Sequence, residues 1–214
     1  MRAKWAVVSA CALALLASFA AVAMSTATEE LNAALRLKPR LNHGAEIFDT
    51  CAACHGDNGR GASDGSIPAI AGQPEAVIVK QIVDFRYDAR FSIRMQHFVD
   101  HHHLAAAQDL ADVAGYVSRL PPRQVSPASA GPDPLAQSLF ATMCAACHGA
   151  RGEGKASARA PRLAGQHAQY LDEQLHDAAE GRRPSMEPDH ARVLARLSSD
   201  EILALSRYLE GLRG

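Results

Sequence analysis

Two six-residue stretches of this chain are identical: Cys51-Ala52-Ala53-Cys54-His55-Gly56 and Cys144-Ala145-Ala146-Cys147-His148-Gly149. Two thiols three residues apart, followed at once by an imidazole, suit three kinds of chemistry. A four-cysteine zinc site holds its pairs about 15–20 residues apart, whereas these copies are offset by 93 residues. A thioredoxin-like dithiol needs a strand leading into a helix, and no strand pattern precedes either copy. The third chemistry is covalent attachment of a c-type haem, of which Cys-x-x-Cys-His is the signature. Two thiols add across the two vinyl groups of the porphyrin, and the next residue delivers a ring nitrogen to the iron. Cys51, Cys54, Cys144 and Cys147 are then the thioether donors of two haem c groups, and His55 and His148 the proximal iron ligands. Disulfides are the other common use of four cysteines in an exported chain. The fifth cysteine, Cys11, lies apart near the N-terminus.

The duplication extends beyond the motif. A shift of 93 residues lays Ile67-Pro68-Ala69-Ile70-Ala71-Gly72-Gln73 on Ala160-Pro161-Arg162-Leu163-Ala164-Gly165-Gln166. Shifts of 92 and 91 lay Tyr116 on Tyr208 and Met95 on Met186, so each half repeats nearly whole, with two single-residue gaps. Domains are expected over residues 42–120 and 135–214. Between them lies a linker, 121–134, dense in Pro, Ser and Ala.

The elements that position these residues read as helices. Apolar helical stretches approach each motif over Ala45 to Thr50 and Leu135 to Met143. A second helix follows each Gly-Gln pair, Pro74 to Asp88 and about His167 to Glu180, the latter closed by Gly181. The last helices run from Gln108 to Arg119 and from Ser199 to Leu212. Ser198 and Glu201 form a capping box for the second of these, while the first has only Ala106 at the matching cap. No alternating strand pattern appears, so the fold class is all-α.

Arg2 and Lys4 precede an uncharged run from Trp5 to Ala23, and Ala21-Val22-Ala23 offers small residues for cleavage, with Ser25-Thr26-Ala27 as a second choice. This reads as a secretory signal over residues 1–23, which sends the chain to the periplasm. Left uncleaved, the run is nearly long enough to anchor the protein in a membrane. Without Arg2 and Lys4 the chain keeps 20 basic and 23 acidic residues, a formal charge of −3. That balance gives no footprint for nucleic acid. Hydrophobic residues make up 48% but aromatics only 5%. Two small domains with so few large rings have thin cores, a shortage that a buried cofactor relieves.

With its two CxxCHG motifs, each followed by Pro-x-(Ile/Leu)-Ala-Gly-Gln, a downstream Met and a C-terminal helix bearing Tyr, the chain resembles the di-haem class I cytochromes c of the c-four type. The resemblance spans roughly residues 42 to 214. It implies two tandem class I cytochrome c domains related by a pseudo-twofold axis, each wrapped round one covalent haem, with the haem edges facing. It also implies crossing first and last helices, with Phe48 on Tyr116 and Phe140 on Tyr208. The carbonyls of Pro68 and Pro161 would orient the proximal histidines.

A distal Met opposite a proximal His gives a high-potential carrier. Met143 directly precedes Cys144 on the proximal side, so packing is its role. Met186 lies in an irregular stretch before the last helix, where a class I fold offers its sixth ligand. Met95 holds the equivalent place in the first half. His97, His101, His102 and His103 crowd near Met95, and any of them that displaced it would lower that potential. Otherwise they are a solvated run or an external metal site. Of this cluster the second half has only His190 nearby. Arg94, Arg182 and Arg183 flank the Met segments and suit haem propionates, or are simply solvated.

The expected activity is one-electron relay between respiratory partners, such as a quinol-oxidising complex, a terminal oxidase or a dehydrogenase. With His and Met on both irons there is no open position for a substrate, so no enzyme is expected. The main alternative is the haem subunit of a periplasmic dehydrogenase complex. A haem enzyme, such as a di-haem peroxidase or a thiosulfate-oxidising cytochrome, would need one labile distal site.

Overall fold

The computed structural model describes residues 24–125 and 133–214. The expected leader, 1–23, and most of the expected linker, 126–132, lie outside the described residues. The first half contains α1 (residues 24–36), α2 (Leu41–His55), α3 (Glu75–Arg86), α4 (Ile93–Phe98) and α5 (Ala107–Val117). The second contains α6 (Pro134–Leu139), a π turn (Phe140–Cys144), α7 (Ala145–His148), a 3-10 turn (Ala156–Ala158), α8 (Ala168–Ala179), α9 (Pro188–Leu194) and α10 (Ser199–Gly211). Among the described residues there is no strand, only an isolated bridge between Lys155 and Ala160.

The last helix of each half forms because its apolar residues recur at helical spacing. Leu110, Val113, Ala114 and Val117 bury one face of α5, and Ile202, Leu205 and Leu209 one face of α10. The capping box of α10 is present: Glu201 N donates to Ser198 Oγ at 3.3 Å, and Ser198 N donates to Glu201 Oε2 at 2.8 Å. At the start of α5, Ala106 has no side-chain oxygen. Asp109 supplies half of the box, accepting from Ala106 N at 2.9 Å.

In each half the last helix crosses the helix that leads into the motif. The expected ring contacts mark both crossings: Phe48 and Tyr116 centroids are 5.4 Å apart, Phe140 and Tyr208 5.9 Å. The first crossing is tight enough to require glycine, since a Cβ on Gly44 would stand 2.1 Å from the Asp112 carbonyl oxygen. Beneath it the buried Asp112 carboxylate accepts from Arg40 N (2.7 Å), Arg40 Nε (2.9 Å) and Gln108 Nε2 (2.6 Å), and bonds His43 Nδ1 at 2.8 Å. The two approaches differ. The first is one continuous helix through the motif, whereas the second is interrupted by the π turn at Phe140–Cys144.

No element was expected between the leader, 1–23, and residue 42, yet α1 packs on the first half. Ala34 is 0% exposed, with Ala27, Leu31 and Leu35 against the same core. Glu30 of α1 pairs with Arg86 at the end of α3, whose side chain is only 3% exposed. Arg86 also donates to the Val99 and Leu104 carbonyls at 2.7 and 2.8 Å, tying down the segment after Met95. A shift of 93 lays Arg86 on Ala179, so the second half has no such clamp.

The two halves meet through a reciprocal pair of glutamines. Gln73 Nε2 donates to Arg162 O at 2.8 Å and Gln73 Oε1 accepts from Arg162 N at 2.9 Å. Gln166 makes the mirrored pair with Ala69, donating to its O at 2.8 Å and accepting from its N at 2.9 Å. Both partners obey the 93-residue shift, as a pseudo-twofold relation requires.

Candidate functional site

Each Cys-Ala-Ala-Cys-His motif ends a helix, and the following Gly closes it. Gly56 has φ 76° and Gly149 φ 85°, in the left-handed region that favours glycine. His55 and His148 are both buried. Each holds its Nδ1 2.9 Å from a proline carbonyl, Pro68 O and Pro161 O respectively. A carbonyl only accepts, so Nδ1 carries the proton and Nε2 keeps its lone pair for a metal. Burial outweighs these hydrogen bonds and lowers both histidine pKa values, which keeps the rings neutral, as ligation needs.

None of the four motif cysteines is paired in a disulfide among the described residues. Burial pushes the Cys51 and Cys144 thiols up to about 11, whereas Cys54 and Cys147 are exposed. Among the described residues no three His, Cys, Asp or Glu side chains gather into a metal cage of their own.

The distal candidates differ between the halves. Met95 sits on α4 and packs against the first core. Met186 is part-buried in the turn before α9, where its N–H donates to Arg183 O at 3.0 Å. The His190 ring stands 5.8 Å from the His148 ring, centroid to centroid. His55 has no such ring neighbour among the described residues. His101, His102 and His103 are exposed, as is His97. The His97 ring packs edge-on at 4.9 Å against His103, whose Nδ1 lies 2.8 Å from Asp100 Oδ1. That His103 contact is the leading cause that holds the Asp100 carboxyl down to about 2.

The arginines named from sequence separate. Arg94 is exposed, and Arg182 pairs with Asp177 and Glu180 at the surface. Arg183 is deeply placed: its Nε is buried without a hydrogen-bond partner, and burial, then the charge of Arg90, pushes its pKa down to about 10. Arg90, which the sequence reading missed, is 8% exposed. It donates to Gln81 Oε1 at 2.6 Å, reaches Tyr170 and Gln174 of the other half, and lies 4.5 Å over the Phe85 ring. The signal for it was the repeat itself, since Arg90 falls on Arg183 at a shift of 93. Neither guanidinium forms an ion pair among the described residues. A buried and a part-buried guanidinium, neither in a close ion pair, complement the propionate carboxylates that a haem carries, so the residues present fit that group.

A family model for cytochrome c matches residues 41–121 and again 135–213. The chain is 34% identical over 186 residues to cytochrome c4 of Azotobacter vinelandii, across 76% of this chain and 84% of that protein. It is 33% identical over 174 residues to the thiosulfate dehydrogenase electron acceptor of Stutzerimonas stutzeri, across 74% of this chain and 76% of that one. The crystal structure of reduced recombinant cytochrome c4 from Pseudomonas stutzeri superposes with a TM-score of 0.71 at 32% identity, covering 82% of this chain and 100% of that one.

Proposed function

This chain belongs to the cytochrome c family, and on that premise we propose that it is a di-haem electron carrier of the cytochrome c4 type. It works in the periplasm and passes single electrons between redox proteins. When bound, each haem supplies an iron that alternates between ferric and ferrous, so an electron moves without any bond being made or broken. Cys51 and Cys54 hold the first group through thioethers, Cys144 and Cys147 the second. His55 and His148 face the irons with Nε2, oriented by Pro68 and Pro161. Met95 is the sixth ligand of the first iron. Met186, which falls on Met95 at a shift of 91, would take that place at the second iron. Arg90 and Arg183 neutralise propionate charge where the two halves meet. No described helix is long and apolar enough to cross a membrane.

The observation that carries this reading is the matched pair of 2.9 Å His–Pro hydrogen bonds, one at the end of each Cys-x-x-Cys-His helix. Similarity to a thiosulfate dehydrogenase electron acceptor supports a second reading, in which a dehydrogenase is the standing partner. Gel filtration of a native periplasmic extract, followed by haem absorbance, separates the two. Elution near the chain's own size supports a mobile carrier shuttling to a quinol-oxidising complex or terminal oxidase. Co-elution with a larger enzyme makes the chain that enzyme's haem subunit. A denaturing gel that shows no covalent haem would end both readings.

A further inference from the structure

We propose that Lys80, in the first half, is a positioning residue for the sixth ligand of the second haem, acting across the contact between the halves. The proposal rests on the reading of Met186 as that ligand. Lys80 lies on α3, one turn before Asp84, which is buried. Asp84 Oδ2 accepts from Lys80 Nζ at 2.6 Å, which fixes the ammonium group. From there Nζ reaches the other half and donates to Ser185 O at 3.3 Å. The Ser185 N–H donates in turn to Ala89 O at 3.3 Å. Both backbone polar groups of the residue before Met186 are therefore held by the first half. The Ser185 carbonyl and the Met186 N–H belong to one planar peptide unit. Lys80 holds its oxygen, and Arg183 O accepts from its nitrogen at 3.0 Å, so the plane that leads into Met186 is gripped at both ends.

The first half receives no such support in return. One set of contacts is mirrored: Arg183 Nη2 reaches Gln81 Oε1 at 3.4 Å, and Arg90 reaches Gln174, which is Gln81 shifted by 93. Lys80 breaks the symmetry. At the same shift it falls on Glu173, which lacks the ammonium donors, and Asp84 falls on Asp177, which pairs with Arg182 instead. The Met95 segment is held from within its own half. Met95 N donates to Ser92 Oγ at 3.4 Å, and Asp88 bonds Gln96. Met95 also sits inside α4, whereas Met186 lies in a turn outside any helix and depends on what grips that turn. Outer partners that orient a metal ligand are worth about 10–100-fold in affinity.

The test uses the ferric holoprotein, with imidazole as competitor for the sixth position and the near-infrared band of Met-ligated iron as the readout. Met186→Ala is measured first, because a band that kept its two-haem amplitude there would refute the ligand reading itself. In Met95→Ala the band belongs to the second haem. Adding Lys80→Met to that variant should lower the imidazole concentration that removes half of the band by about 10–100-fold. Lys80→Arg, which keeps a cationic donor, should hold it near the parent value. In Met186→Ala, where the band belongs to the first haem, Lys80→Met should change nothing. An unchanged half-point for the second haem, or an equal shift at both haems, would overturn the proposal.

Discussion

Replacing Gln166 by Ala isolates what holds the two halves together. Gln166 is buried and its amide makes both bonds to Ala69, while its Oε1 also accepts from His167 N at 3.0 Å. Ala69 and His167 are themselves buried, so truncation leaves the Ala69 N–H and C=O and the His167 N–H without partners. Each orphaned buried group costs about 1–3 kcal/mol, and relaxation or water entry recovers part of this, giving about 2–4 kcal/mol for Gln166→Ala. Gln73 makes the mirrored bonds but is only part-buried, so Gln73→Ala should cost less, about 1–2 kcal/mol. The two glutamines share no partner, and the double variant should come near the sum. Urea unfolding of the holoprotein, followed by far-ultraviolet circular dichroism and by the haem absorbance, measures this. The native chain should unfold in one transition, and the double variant should separate into two as the halves lose contact. A Gln166→Ala cost under about 0.5 kcal/mol, with a single transition kept in the double variant, would refute the view that these amides couple the halves.

Arg86→Ala strands the part-buried Glu30 carboxylate and frees the Val99 and Leu104 carbonyls, at a cost of about 3–5 kcal/mol by denaturant unfolding. Burial alone would raise the Asp112 carboxyl, but donors from Arg40, Gln108 and His43 outweigh it and hold its pKa below the usual value. A depressed carboxylate stabilises fully above about pH 5, and that contribution is lost as pH falls through its folded pKa. The acid limb of the stability profile should therefore flatten in Asp112→Asn. Ser198→Ala removes one half of the α10 cap and should lower stability by about 1 kcal/mol in a urea titration.

The repeat and the haem motif were legible because their chemistry fixes residue types at short spacing. The crossing rings were legible through the family resemblance, which implied that Phe48 meets Tyr116 and Phe140 meets Tyr208. α1 was not, because residues 24–36 adjoin an apolar leader whose pattern dominated the reading. Its signal, Ala27, Leu31, Ala34 and Leu35 at helical spacing, is weak in an alanine-rich stretch. The π turn before Cys144 has no letter code, since a single residue more or less per turn arises from packing. Arg183 suited either a propionate or solvent, and Arg90 drew no notice. Their burial depends on the other half closing over them, which no local pattern reports.

The paired amides between the halves would make a poor dimer of separate chains, because association would first have to overcome the loss of translational freedom. The stretch from Pro121 to Pro134 changes that arithmetic. A short tether holds each half near the other at an effective concentration on the order of millimolar, so a few polar contacts keep them closed. Cleavage within that stretch would return the contact to dependence on bulk concentration, and at micromolar protein the halves would part although every contact residue remained in place.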